Sequence, residues 1–300
     1  MSARWIDLLD PTHEELLASL PAGVDPDVVE ALASGAADGR EARPFLEGHG
    51  AYVVGMFLDA LPGGDDSRIS YREVGVVATP DLLVTVRKSP AECPPWHAAP
   101  LETPAATGAS AGELLFRVVD DVAESFLDVV DAADVQIDVL EDHIDDWRSE
   151  HVRRRLGTLR NDPLHARRIV GATRAAVRRI VDKRLDVGDE SLFPDSVERM
   201  FGDTYETLIR AGEELDVSRD LLASARDYHQ SMIAERQNDI VKTLTMIASL
   251  VLVPSLIVGF FGQNFEGEFS RPFWTFGVSV SLIIGSTVLQ LVLFRRRRWI

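Results

Sequence analysis

Residues 243 to 265 contain no Asp, Glu, Lys or Arg, and neither do residues 272 to 294. A helix rises about 1.5 Å per residue, so each stretch is long enough to cross a hydrocarbon layer about 30 Å thick. The first span is read as 243–261, the connection as 262–271 and the second span as 272–294. So short a connection leaves only an antiparallel pair. Lys242 and the run Arg295 to Arg298 flank one side, whereas the connection carries Glu266 and Glu268 against Arg271. The excess of basic residues places both termini on the cytoplasmic side and the connection outside. A multi-pass protein of the cell (inner or plasma) membrane is expected, in contact with lipid.

The remainder reads as water-soluble. Arg4, Asp7 and Asp10 interrupt the N-terminal apolar patch, so a cleaved signal peptide is not expected, and the soluble part should stay in the cytoplasm. A single cysteine, Cys93, forms no intrachain disulfide. The net charge of −17 argues against nucleic acid as a partner. It suits cations, although acidity for solubility alone is an equally simple account.

Residues 1–111 are read as an α/β domain. Ala51 to Leu58, Val74 to Val77 and Leu82 to Val86 are β-rich, while Thr12 to Leu20 and Asp25 to Leu32 have helical spacing. Asp10-Pro11-Thr12 ahead of Glu14 and Glu15 is a helix start, with an oxygen-bearing cap and acids at the positive end. The stretch Ser89 to Gly112, with five prolines, reads as a linker. Residues 112–188 read as a helical hairpin. Apolar residues from Leu115 to Ile144 recur at three- and four-residue steps opposite an acidic face that includes Asp120, Asp121 and Asp134, and an arginine-rich segment, Arg153 to Arg184, follows. Complementary pairing of the two helices and two independently solvated faces both fit this pattern. Residues 189–242 read as a stalk helix that opens at Phe193-Pro194-Asp195 and meets no further proline before Pro254. Unbroken into the membrane it would reach about 100 Å, and a helix this long needs partners along its length.

Read at seven-residue steps, Asn238, Thr245, Leu252 and Gly259 form one series on the first span, and Val241, Ala248 and Ser255 an adjacent one. A seam of small and polar residues packs helices closely or lines a pore. Glu266 and Glu268 in the connection either gather cations at an entrance or are simply solvated. An enzyme is not expected. The histidines, His13, His49, His97, His143, His151, His165 and His229, are scattered with no nucleophile, acid and base together, and no Gly-rich nucleotide segment occurs. His143 and His151, eight apart, are too distant for one metal site on a helix face.

The run Asn238-Asp239-Ile240-Val241-Lys242-Thr243-Leu244-Thr245, then Pro254, then Gly259-Phe260-Phe261-Gly262-Gln263-Asn264-Phe265-Glu266, and the ending Arg295 to Arg298 with Trp299-Ile300, resembles the CorA family of magnesium and cobalt transporters. Upstream, Trp5, Asp10-Pro11-Thr12, Arg43-Pro44, Glu47, Tyr52 and Leu83-Val84-Thr85-Val86 recur in that family's order. The resemblance implies a homopentameric funnel in which the first span lines the pore through Asn238, Val241, Leu244, Ala248, Leu252, Ser255 and Gly259. The apolar Val241, Leu244 and Leu252 would form constrictions that close by dewetting. It further implies that Gly262, Gln263 and Asn264 form the filter, where Asn264 holds a hydrated ion, and that Asp227 takes part in a regulatory divalent site between subunits. Mg2+ gives up water reluctantly, so neutral oxygens around an intact hydration shell suit it. Gln263 stands where the family has Met, and Phe261 where it has Tyr. Zinc transporters of the same fold also vary the middle position. The expectation is potential-driven Mg2+ influx with no resident cofactor, the divalent cation being cargo and regulator. A zinc or other transition-metal transporter, or a non-conducting membrane-anchored scaffold, are the alternatives.

Overall fold

The computed structural model describes residues 3–34, 43–63, 68–90, 93–103, 106–262 and 272–299. The chain divides into two units, Met1–Arg226 and Asp227–Ile300.

The first unit is built on a five-stranded sheet: β1 (Arg4–Leu9), β2 (Phe45–Gly48), β3 (Val53–Leu61), β4 (Ser70–Thr79) and β5 (Leu82–Arg87), in the order β1-β5-β4-β3-β2. β1 runs parallel to β5, and the other neighbours are antiparallel. The central strands are apolar on both faces because both faces are covered. Val54, Met56, Val77, Val84 and Val86 pack under Leu16 of α1 (His13–Ser19) and Val29 and Leu32 of α2 (Pro26–Ser34). Val53, Phe57, Val74, Val76 and Leu83 meet Leu115, Val118, Val122 and Phe126 of α3 (Ala111–His143) on the other side. α1 begins where the sequence indicates. Thr12 caps it by accepting from the Glu15 N–H at 3.3 Å while Glu15 reaches back to the Thr12 N–H at 2.8 Å. Ser110 and Glu113 make the same box at the start of α3.

The stretch read as a linker is instead part of the core. Trp96 is fully buried, and Ala98, Leu101, Ala106 and Ala109 join the cluster under α3. The Trp96 indole donates to Asp121 at 2.7 Å. Proline and small residues make this segment irregular without making it loose.

α3, α4 (Ser149–Val181) and α5 (Asp195–Phe261) form the helical part. At the start of α3 a Cβ on Gly112 would lie 2.0 Å from the Leu192 carbonyl oxygen, so only glycine admits this approach. The acidic face of α3 finds partners on α5. Thr204 donates to Asp120 at 2.7 Å and Ser218 to Asp134 at 3.0 Å, each across 84 residues of chain. Equal offsets two heptads apart mean that α3 and α5 run parallel in register. Arg167 of α4 pairs with Asp216 of α5 at 3.1 Å. At Asp120 and Asp134 the acidic face of α3 thus meets hydroxyls on a third helix. His143 ends α3 and His151 opens α4, so they do not share a helix face. Both rings pack on Trp147, with centroids at 5.3 and 4.6 Å.

The second unit holds the lower part of α5, continuous through Pro254, and α6 (Pro272–Arg296). Both carry an apolar window long enough to cross a membrane, and neither window is buried within the chain.

Candidate ion-conduction site

On the lower part of α5 the half-buried residues Lys242, Met246, Ser249, Val253, Ile257 and Phe261 recur at three- and four-residue steps. Their face meets α6: Gln290 donates its amide to the Ser249 carbonyl at 3.4 Å. The seven positions assigned to a pore, Asn238, Val241, Leu244, Ala248, Leu252, Ser255 and Gly259, are all exposed, and at about 100° per residue they centre roughly a quarter turn from Ser249, with Asn238 and Leu252 nearest to it. Leu252 is 70 % exposed and Leu244 65 %. Ile247 and Val251 are exposed as well, so exposure alone does not separate a pore face from a lipid face. The seven positions mix small and polar residues, Asn238, Ala248, Ser255 and Gly259, with the bulky Val241, Leu244 and Leu252. Thr245 is exposed beside Leu244, so burial does not choose between them.

The hydroxyls on this stretch turn back on their own helix. Thr245 donates to the Val241 carbonyl and Ser255 to the Val251 carbonyl, both at 2.7 Å. With the proton used this way, the lone pairs of each oxygen face outward as acceptors, as water bound to a cation requires. At the far end the Gly262 N–H donates to the Val258 carbonyl at 2.8 Å. The negative end of the α5 dipole lies here and favours a cation. From Thr243 to Phe261 there is no Asp, Glu, His, Lys or Arg, so this surface offers neutral oxygens only. Gln263, Asn264, Glu266 and Glu268 lie outside the described residues.

Asp227 is exposed on α5. Among the described residues no group of three or more His, Cys, Asp or Glu is arranged to hold a metal ion.

The model of the family described as CorA-like Mg2+ transporter protein matches residues 2–296. The chain belongs to the CorA family. By its description that family is one of Mg2+ transporters. The cobalt/magnesium transport protein CorA of Thermotoga maritima is 22% identical over 189 residues, 62% of this chain and 52% of that protein. The chain thus aligns with about half the length of this curated CorA relative. The fold matches the complete CorA magnesium transporter of Methanocaldococcus jannaschii with a TM-score of 0.81 at 20% identity, covering 100% of this chain and 92% of that one. It also matches the full-length CmaX protein with a TM-score of 0.72 at 20% identity, covering 99% and 89%. An α/β soluble domain, a long helix and two C-terminal apolar helices are therefore the CorA architecture.

One polar cluster in the first unit was not anticipated. Asp59 on β3 and Arg72 directly opposite on β4 form a buried ion pair, and the neighbouring Ala60 N–H donates to Ser125 of α3 at 2.9 Å. Burial, only partly offset by Arg72, pushes the Asp59 carboxyl up to about 6. Burial likewise raises Asp121, while its Trp96 donor and Arg72 act the other way. The available signal was Asp59 itself, a lone charge in the apolar run Val53 to Leu61.

Proposed function

We infer that this chain assembles with copies of itself, as a homopentamer, into a channel that carries divalent cations inward across the cell membrane. The observation that carries the reading is the exposed face of α5 from Asn238 to Gly259, whose outward oxygens belong to hydroxyls already bonded to their own helix. Exposed leucines on the same face need either lipid or other copies to cover them, and a ring of copies turns Val241, Leu244 and Leu252 into apolar constrictions. Both termini face the cytoplasm, consistent with Lys242 and Arg295 to Arg298 on one side.

Mg2+ is the first candidate as cargo, with Gly262, Gln263 and Asn264 as the filter and the Asn264 amide oxygens receiving the hydrated ion. The name of the Thermotoga relative, cobalt and magnesium, agrees with this choice. Glu266 and Glu268 raise the local cation concentration at the outer mouth. Influx needs no resident cofactor or energy source beyond the membrane potential, because a divalent ion crossing 100 mV gains about 4.6 kcal/mol. Closure follows occupation of an intersubunit site by a divalent ion at Asp227, where bridging replaces repulsion between carboxylates.

The test is uptake of Mg2+, Co2+, Ni2+ and Zn2+ by proteoliposomes under an imposed inside-negative potential, with an Asn264→Ala variant alongside. Voltage-enhanced Mg2+ uptake that the variant loses by about tenfold or more is the expected result. Uptake restricted to Zn2+ would make it a zinc transporter with the Gln263 filter, and folded oligomer without uptake of any ion would make it a scaffold.

A further inference from the structure

The first unit contains a cavity of about 360 Å³ where the start of β4 meets α4, at the lower end of the range for small-molecule sites. Arg68, Tyr71, Asp162, His165 and Arg168 all line it. Arg72, Arg87, Arg167 and Lys183 are each matched to a carboxylate. Arg68 and Arg168 are both exposed at the cavity; Arg68 acts electrostatically on the Asp162 carboxyl of the same lining, and among the described residues neither arginine is in a close ion pair. Two guanidinium forks at the rim of one concavity present paired donors to an anion, and a phosphate group has enough oxygens to accept from both.

The rest of the lining narrows the ligand further. The Tyr71 and His165 rings meet edge to face, with centroids 5.0 Å apart, and offer an aromatic wall for a flat group. Asp162 accepts from the Ile69 backbone N–H. Partial burial holds its carboxyl above the ordinary range, opposed by that hydrogen bond and by Arg68. An acid in this position repels a second anion beside it but accepts from a hydroxyl or amino group. The lining therefore asks for three things in one molecule: an anion, a ring and a hydrogen-bond donor.

We propose that this cavity binds a small phosphorylated ring compound of the nucleoside monophosphate class. The phosphate lies against Arg68 and Arg168, the ring against the Tyr71–His165 wall, and a hydroxyl or amino group donates to Asp162. The site is separate from the conducting face and does not depend on which ion is carried.

The experiment is calorimetric titration of the full-length protein in detergent with AMP, adenosine and inorganic phosphate, in EDTA so that phosphate bridged by a divalent ion is excluded. AMP should bind, adenosine should bind at least about tenfold more weakly, and an Arg68→Gln/Arg168→Gln double variant should lose at least about tenfold in AMP affinity. Arg168→Lys, which keeps the charge but not the fork, should fall between. No AMP binding at millimolar concentration, or AMP binding unchanged in the double variant, overturns the proposal. Phosphate binding as well as AMP overturns the role given to Tyr71 and His165.

Discussion

Helix α5 carries hydroxyl side chains in both units, in two different surroundings. In the first unit Thr204 and Ser218 are fully buried, each within reach of a carboxylate on another helix, Asp120 at 2.7 Å and Asp134 at 3.0 Å, as well as of the carbonyl one turn back, Met200 at 3.5 Å and Glu214 at 3.0 Å. In the second unit Thr245 and Ser255 are exposed and donate to carbonyls one turn back on their own helix. The first arrangement ties two helices in register, and burial closes those oxygens to anything else. The second satisfies the proton locally, as an apolar surrounding demands, and leaves lone pairs directed away from the helix. Residue type is the same throughout; what differs is whether a carboxylate waits across the interface. A hydroxyl is structural where it has such a partner and available to water or a hydrated ion where it has none.

The largest effect should come from a buried ionisable group in the first unit, Asp59. Asp59 titrates near 6 in the folded chain against an ordinary value of 3.8. Below both values the carboxyl is protonated in both states, and above both it is ionised in both. Between them only the folded state holds the proton, so this group makes the fold less stable as pH rises from about 4 to about 6. The difference amounts to about 3 kcal/mol at most. Urea unfolding of the first unit, followed at pH 4 and pH 7, should show this slope reduced in Asp59→Asn relative to the parent. Equal slopes in both proteins would mean that Asp59 is not held in a desolvated site.

A smaller effect should come from the hydroxyls themselves. Thr204→Val removes the donor to Asp120 and should cost about 1–3 kcal/mol, because a carboxylate is left facing an apolar neighbour. Thr245→Val removes a bond that its own helix barely needs and should change stability by less than about 0.5 kcal/mol. Ion uptake should respond in the reverse order, unchanged in Thr204→Val protein that remains folded and altered in Thr245→Val. If both variants lost stability equally, the distinction between the two parts of α5 would fail.

The parts of the molecule legible in the sequence are those whose cause is local. The two spans announce themselves because charge is absent over a whole bilayer thickness, and the start of α1 because Thr12 and Glu15 sit one turn apart. The central strands read correctly because both their faces are apolar. β1 escaped because Arg4 and Asp7 break its pattern. Only across the sheet does Asp7 find Arg87 and accept from Thr85 at 2.8 Å, and nothing nearby in the chain reveals either partner. Trp96 was lost among prolines for the same reason, since Asp121 lies 25 residues on. The match of α3 to α5 spans 84 residues, too far for any spacing rule to register. As for the candidate site, seven-residue steps gave a seam of small and polar residues, the family resemblance made it a pore face with Leu244 in place of Thr245, and all of these positions are exposed on α5. The filter, Gln263 and Asn264 with the acids beyond it, falls outside the described residues.

The smallest effect belongs to Gln290, which stands between the two behaviours. It is an amide within an apolar span, donating to the Ser249 carbonyl at 3.4 Å, a length at which such a bond is weak. Ser249 lies one turn and a residue before Pro254, where the missing amide disturbs the ladder of α5 and a neighbouring carbonyl gains from an outside donor. Interhelical hydrogen bonds of this kind contribute about 0.6 kcal/mol on average in membranes. Gln290→Leu should therefore lower the thermal midpoint of the detergent-solubilised protein by no more than about 2 °C while leaving the first unit's urea transition unchanged. A larger shift would mean that Gln290 meets a second partner, as it would if copies of the chain pack around α6. The sign of the departure would then tell whether the second span is held mainly by lipid or by protein.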